Sequence, residues 1–305
     1  MLELNVMKLA LGTAQLGMPY GIANISGQPD YAEAIRLVRT AMTKGIHVID
    51  TAPGYGDSEY ILGKARYGIT NTPVIITKIP LIPERNEVEL QDIRKSMMQY
   101  IEESKLRLGV LRLDCCLLHS PDNMLSHDRK VVQVLCELKA QGHVEKIGVS
   151  IYTPEDVETF LELEDMDVIQ IPINILDQRL ITSGQLERLK TRKISIHARS
   201  IYLQGLLLLS PDQLPEYMSA AKIHLSNLRL LAERNHYSIT ELAFIYIRDL
   251  RHIDYMVIGC ETLEQLEDNV RMLELPPLSS VVSEEAMQLF SRVPECILNP
   301  SKWRA

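Results

Sequence analysis

At 305 residues and 34.6 kDa, with 46% hydrophobic and 24% charged residues, the chain is long enough to bury a large core and reads as globular. A net charge of −8, a pI of about 5.6 and the lack of any Lys/Arg cluster argue against a nucleic-acid surface. No apolar run reaches the roughly 18 residues that span a bilayer, no secretory signal opens the chain, and Cys115, Cys116, Cys136, Cys260 and Cys296 lack metal-ligand spacing. A cytoplasmic protein with buried thiols, no membrane partner and no bound metal is expected.

Short apolar runs alternate with stretches of helical period along the chain. KLALGT (8–13) comes first and leads into GTAQLG, which does not fit the G-x-G-x-x-G turn of an open nucleotide-binding sheet. YAEAIRLVRTAMTKG (31–45) has helical period and closes on Gly45. IHVID (46–50) ends on Asp50 and runs into a turn carrying Tyr55, with Glu59 and Gly63 beyond. Alone, that segment fits equally an ordinary strand, a helix-capping Asp and common Tyr-Gly turn material. VIITK (74–78) ends on Lys78, and the mixed charges between Glu87 and Glu103 read as a solvated helix face.

LDCCLLH (113–119) ends on His119, the helical run DRKVVQVLCELKAQG (128–142) on Gly142, and KIGVS (146–150) on Ser150. Thr153-Pro154-Glu155 then supplies a helix cap with proline at the first position. DVIQI (167–171) and ISIHA (194–198) are two further strand candidates. The interval 199–254 contains LSNLRLLAERN and SITELAFIYIRDL, so an extra helix is expected before the last strand, YMVIG (255–259), and the helix TLEQLEDNVRML. ECILNPSKWRA (295–305) reads either as a tail folded over the molecule or as a loosely held end.

Eight strands that are continuously apolar rather than two-faced, alternating with helices, predict a parallel sheet covered by helices. Eight is the count of the (β/α)8 TIM barrel, here an α/β fold expected as one domain over 1–305. In a barrel the strand C-termini converge on one face, which would gather Thr13, Asp50, Lys78, His119 and Ser150. An Asp–Lys ion pair beside a tyrosine is expected to lower the phenol pKa and make it a general acid, with the histidine donating to a substrate oxygen. Each residue taken singly also has a bland role: a capping Asp, a turn Tyr, a snorkelling Lys, a core His.

DTAPGYGDSE, VIITK and LLHSP occur in the order in which the aldo-keto reductase superfamily carries its Asp, Tyr, Lys and His, and the chain resembles that superfamily over nearly its whole length. The resemblance implies a (β/α)8 barrel using NADP(H), or alternatively NAD(H), to reduce an aldehyde or ketone to an alcohol or to run the reverse. Asp50, Tyr55, Lys78 and His119 would be catalytic. Gly12, Thr13, Ser150, Gln170, Ser200, Gln204, Gly205 and Asn269 would face the cofactor, with Ser150 and Gln170 on the nicotinamide carboxamide. Asn174, Tyr20 and Trp303 would lie on the substrate side.

Several positions depart from the family pattern. Ile151 stands where an Asn is frequent, and Arg199 where many members stack an aromatic ring on the nicotinamide. An Arg plane can stack too, but it adds positive charge beside a ring that is positive when oxidised. Its alternatives are a phosphate, an anionic substrate, or a salt bridge to Asp177 or Glu261. Gly259 and Gln265 replace basic residues that grip a 2′-phosphate, with Glu261 between them. This predicts a relaxed cofactor preference unless Arg199 or Arg271 supplies the contact. A cofactor-binding sensor with little turnover is the second functional class. Only three Phe and one Trp favour a polar small-molecule substrate such as a sugar derivative.

Overall fold

A computed structural model describes residues 8–83 and 88–303. Eight strands, β1 (Lys8–Gly12), β2 (Val48–Asp50), β3 (Val74–Ile79), β4 (Leu113–Leu118), β5 (Val144–Ser150), β6 (Val168–Pro172), β7 (Ser195–Arg199) and β8 (Tyr255–Gly259), pair in parallel in chain order, and β8 returns to β1 to close a barrel. The apolar runs form these strands because both faces are covered: every residue of β2 and β6 is buried. Ala10, Val48, Ile76, Cys115, Leu117, Val168 and Val257 form one buried cluster, and a much larger cluster packs strands against helices. Thr13 and His119 fall just past their strands, on the rim.

The alternating helices are built from the expected punctuation. Thr153 and Asp156 form a reciprocal capping box with Pro154 at the first position of the helix Pro154–Leu161, and Gly45 and Gly142 take positive φ just after their helices. The helix Leu90–Leu108 carries the mixed-sign run; Glu87 lies outside the described residues. Between β7 and β8 there are two α-helices, Lys222–Arg234 and Ile239–Arg248, preceded by two short 3-10 helices, Leu203–Leu208 and Glu216–Ala221. The short helix Glu295–Leu298 buries Ile297 and Leu298, which turns Cys296 outward, so the expectation of buried thiols fails there. Among the described residues no helix is long and apolar enough to cross a membrane.

Register sets the site. Gly12 lies beside Asp50 on one side and Gly259 on the other, Ser150 beside Gln170, and Pro172 beside Arg199, all at the C-terminal ends of the strands.

Candidate active site

The turn between β2 and the helix Ser58–Arg66 is fixed by backbone packing. A Cβ on Gly17 would stand 1.8 Å from the Tyr55 carbonyl oxygen, so only glycine lets the two loops meet. Thr13 Oγ1 donates to the Asp50 carbonyl at 2.9 Å and lies 2.5 Å from Ser58 Oγ, which is 2.6 Å from Thr51 Oγ1. Glu59, fully buried, accepts from Thr77 and Arg107 at 2.6 Å each. These contacts hold Tyr55 over the barrel end.

Beneath it, Lys78 Nζ donates to Asp50 Oδ1 at 2.7 Å and to the Thr51 carbonyl at 2.8 Å. The other carboxylate oxygen, Oδ2, accepts from Gln170 Nε2 at 2.7 Å, and Gln170 Oε1 accepts from Ser150 Oγ at 3.2 Å. Lys78 Nζ lies 4.9 Å from the Tyr55 ring centroid, and the His119 ring stands edge-on to Tyr55 with centroids 5.6 Å apart. Buried charge survives here because it is paired and hydrogen-bonded on every side.

Burial works against the Lys78 charge, but Asp50 and Tyr55 outweigh it and hold the ammonium above its usual pKa. Burial and the nearby ammonium push His119 down to about 4, so it is a neutral imidazole near pH 7. For Tyr55 the sequence expectation is reversed: the phenol is raised, not lowered. Desolvation is the largest cause; Lys78 pulls the pKa down, but Asp50 at its side pushes it back up.

These groups open onto a cavity of about 660 Å3. Of the residues expected there, Gly12, Thr13, Tyr20, Ser150, Gln170, Arg199, Ser200, Gln204, Gly205, Gly259, Gln265 and Asn269 line it, together with Asp50, Tyr55 and His119. Asn174 does not. Its side chain accepts from the Leu176 and Asp177 amides and donates to the Ser200 carbonyl, so it braces the loop after β6 instead. Trp303 is also off the wall, donating to the Ile297 carbonyl at 3.1 Å, although the tail does fold over the mouth through Pro300 and Ser301. Arg271 is spent on Asp268 outside the lining.

Arg199 makes neither expected salt bridge, because Asp177 is held by Arg179 at 2.8 Å and Glu261 by Gln265 at 2.8 Å. It donates to the Ile151 carbonyl at 2.7 Å and Ser200 Oγ at 3.1 Å, and its guanidinium lies 5.0 Å from the Tyr152 ring centroid. After it the loop is strained, with positive φ at Ser200, Leu203 and Gln204. The Gln204 carbonyl accepts from Ile22 at 2.9 Å, drawing the 20–24 segment over the cavity. Gln15, Tyr152, Tyr202 and Asp268 also line it and were not singled out from sequence. A Cβ on Gly259 would lie 2.0 Å from the Gln15 Oε1, so the glycine at 259 makes room for Gln15, a relation visible only in the fold.

The model of the aldo/keto reductase family matches residues 8–288. The chain is 30% identical over 204 residues to the aldo-keto reductase YhdN of Bacillus subtilis, covering 66% of this chain and 60% of that protein. It is 27% identical over 302 residues to an NADH-specific methylglyoxal reductase of Escherichia coli, covering 90% and 91%. An aldo-keto reductase of Bacillus halodurans in its holo form superposes with a TM-score of 0.73 at 22% identity, over 92% of this chain and 91% of that one, a likeness of fold. With the barrel and the match over nearly all its length, the chain belongs to the aldo/keto reductase family.

Proposed function

We propose that the chain interconverts a small aldehyde or ketone and its alcohol with NAD(P)H, Tyr55 moving the proton at oxygen. The observation that carries this is the buried Asp50–Lys78 pair beneath Tyr55, with a neutral His119 beside it, opening onto one cavity. The cavity fits a nicotinamide dinucleotide: it is large, Gly12 and Gly259 keep its floor open, and the Tyr202 hydroxyl is buried without a protein partner. Ser150, Ser200, Gln204, Gly205 and Asn269 would hold that cofactor, while Gln170, already committed to Asp50, would act mainly by fixing the carboxylate. When bound in its reduced form the cofactor supplies a hydride to the carbonyl carbon.

The protein's part is to polarise and to protonate. Neutral His119 donates a hydrogen bond to the carbonyl oxygen, and Tyr55, kept protonated by burial, gives that oxygen its proton. Lys78 stabilises the phenolate left behind, and Asp50, clamped from two sides, keeps the ammonium in place. Tyr20 and the tail at Pro300 and Ser301 wall the mouth against water. The lining contains Tyr, Asn, Gln and Ser but no Phe or Trp, which supports a polar substrate such as a sugar-derived carbonyl.

Beyond β8, Glu261 and Asp268 line the cavity and no Lys does. Carboxylates repel a 2′-phosphate and can accept from a 2′-hydroxyl, so NADH is accepted and NADPH has no dedicated grip. The E. coli relative's NADH specificity points the same way. Titration of both cofactors tests this; a preference for NADPH of about a hundredfold, about 2.7 kcal/mol, overturns it. Tyr55→Phe should cut turnover roughly a thousandfold while leaving NADH binding intact. A wild-type protein that binds NADH yet reduces no aldehyde or ketone would instead favour the sensor reading.

A further inference from the structure

Arg199 is a cavity-lining cation with no carboxylate partner among the described residues. Its two hydrogen bonds and its seat on the Tyr152 ring fix it in place. One of those bonds goes to the Ile151 carbonyl, immediately after Ser150, the residue read above as facing the nicotinamide carboxamide. A guanidinium does not lose its proton in a protein. The charges around it do not cancel it: Lys78 is matched by Asp50, His119 is neutral, and Tyr20 and Tyr55 remain protonated. Of the other carboxylates on the wall, Asp268 is paired with Arg271, and Glu261 accepts from the neutral Gln265 amide and forms no ion pair with Arg199.

We propose that Arg199 makes the site discriminate by cofactor charge, holding the reduced nicotinamide more tightly than the oxidised one, so that the free enzyme is loaded preferentially with the reduced form. This rests on the functional reading above. The two forms differ by one positive charge on the ring: reduction of the carbonyl consumes the reduced cofactor and a proton, the hydride and the Tyr55 proton end on the alcohol, and the positive charge stays on the ring. Two like charges in a partly buried cavity repel more strongly than in water. The neutral ring would escape that repulsion, and a guanidinium plane tolerates a neutral ring beside it. Arg199 thereby also speeds release of the oxidised form after each turnover.

Calorimetric titration of the free protein with NADH and with NAD+ tests this without relying on turnover. Wild type is expected to bind NADH at least about tenfold more tightly than NAD+, a difference of about 1.4 kcal/mol. Arg199→Gln should bring the two affinities within about twofold of each other, chiefly by tightening NAD+, and Arg199→Lys should restore most of the gap. Equal wild-type affinities for the two forms overturn the proposal even if the Gln variant does not fold. So does a Gln variant that folds and keeps the wild-type ratio. A wild-type protein that binds neither form overturns the functional reading itself, which separates the two failures.

Discussion

The wall that carries Asp50, Lys78 and Gln170 and the far side of the cavity are built on opposite terms. On the wall formed by β2, β3, β4 and β6, Asp50, Lys78 and Gln170 are buried and satisfy one another through bonds of 2.7 Å. Past β8, Glu261, Gln265, Asp268 and Arg271 pair among themselves in partly solvated positions. A buried network tolerates no single change, because removing one member strands another in a medium that cannot solvate it. Exposed pairs cost little to exchange. Under the proposed function, chemistry would be rigidly fixed at one end of the cavity and cofactor choice adjustable at the other.

The sharpest way to break that contrast is Lys78→Met. It leaves Asp50 buried with only Gln170, so a loss of about 3–5 kcal/mol in urea unfolding is expected together with loss of turnover. Stability within about 1 kcal/mol of wild type would mean the wall is no more rigid than the surface.

Acid sharpens the contrast less severely. His119 and His197 are both pushed by burial from 6.5 to about 4, so between those values the unfolded chain binds protons that the folded chain refuses. Stability is complete above 6.5 and falls as pH drops, by up to about 1.4 kcal/mol per pH unit for each histidine. His197 lies off the cavity, so His197→Gln should roughly halve the slope of that acid limb; an unchanged slope would place the proton uptake elsewhere.

The smallest effect is expected across the cavity. Glu261→Gln should tighten NADPH about threefold to tenfold with NADH changed less than twofold, measured by direct titration, and with the urea midpoint unmoved. A destabilised variant would show that this end too is part of the rigid frame.

The barrel was legible because its strands are short apolar runs that stop on polar residues, and the same ends named Asp50, Lys78 and His119. The sequence could not reveal how far each polar group was already occupied. Gln170 reaches back 120 positions to Asp50, and Asn174 turns inward to brace its own loop. The upward shift of Tyr55 was hidden for a related reason. Proximity of a lysine can be guessed from motif order, but desolvation depends on everything packed around the ring. Gln15 escaped notice because its place is created by the missing side chain of Gly259, on the opposite edge of the chain's numbering.

The pairing of Gly12 with Gly259 joins the first strand to the last, and both glycines line the cavity. During synthesis, then, the pocket has no floor until the eighth strand has emerged and closed the ring. Every earlier intermediate holds Asp50 and Lys78 with nowhere to seat a cofactor. Binding of that cofactor reports on completed assembly, and it stabilises only chains that have finished folding.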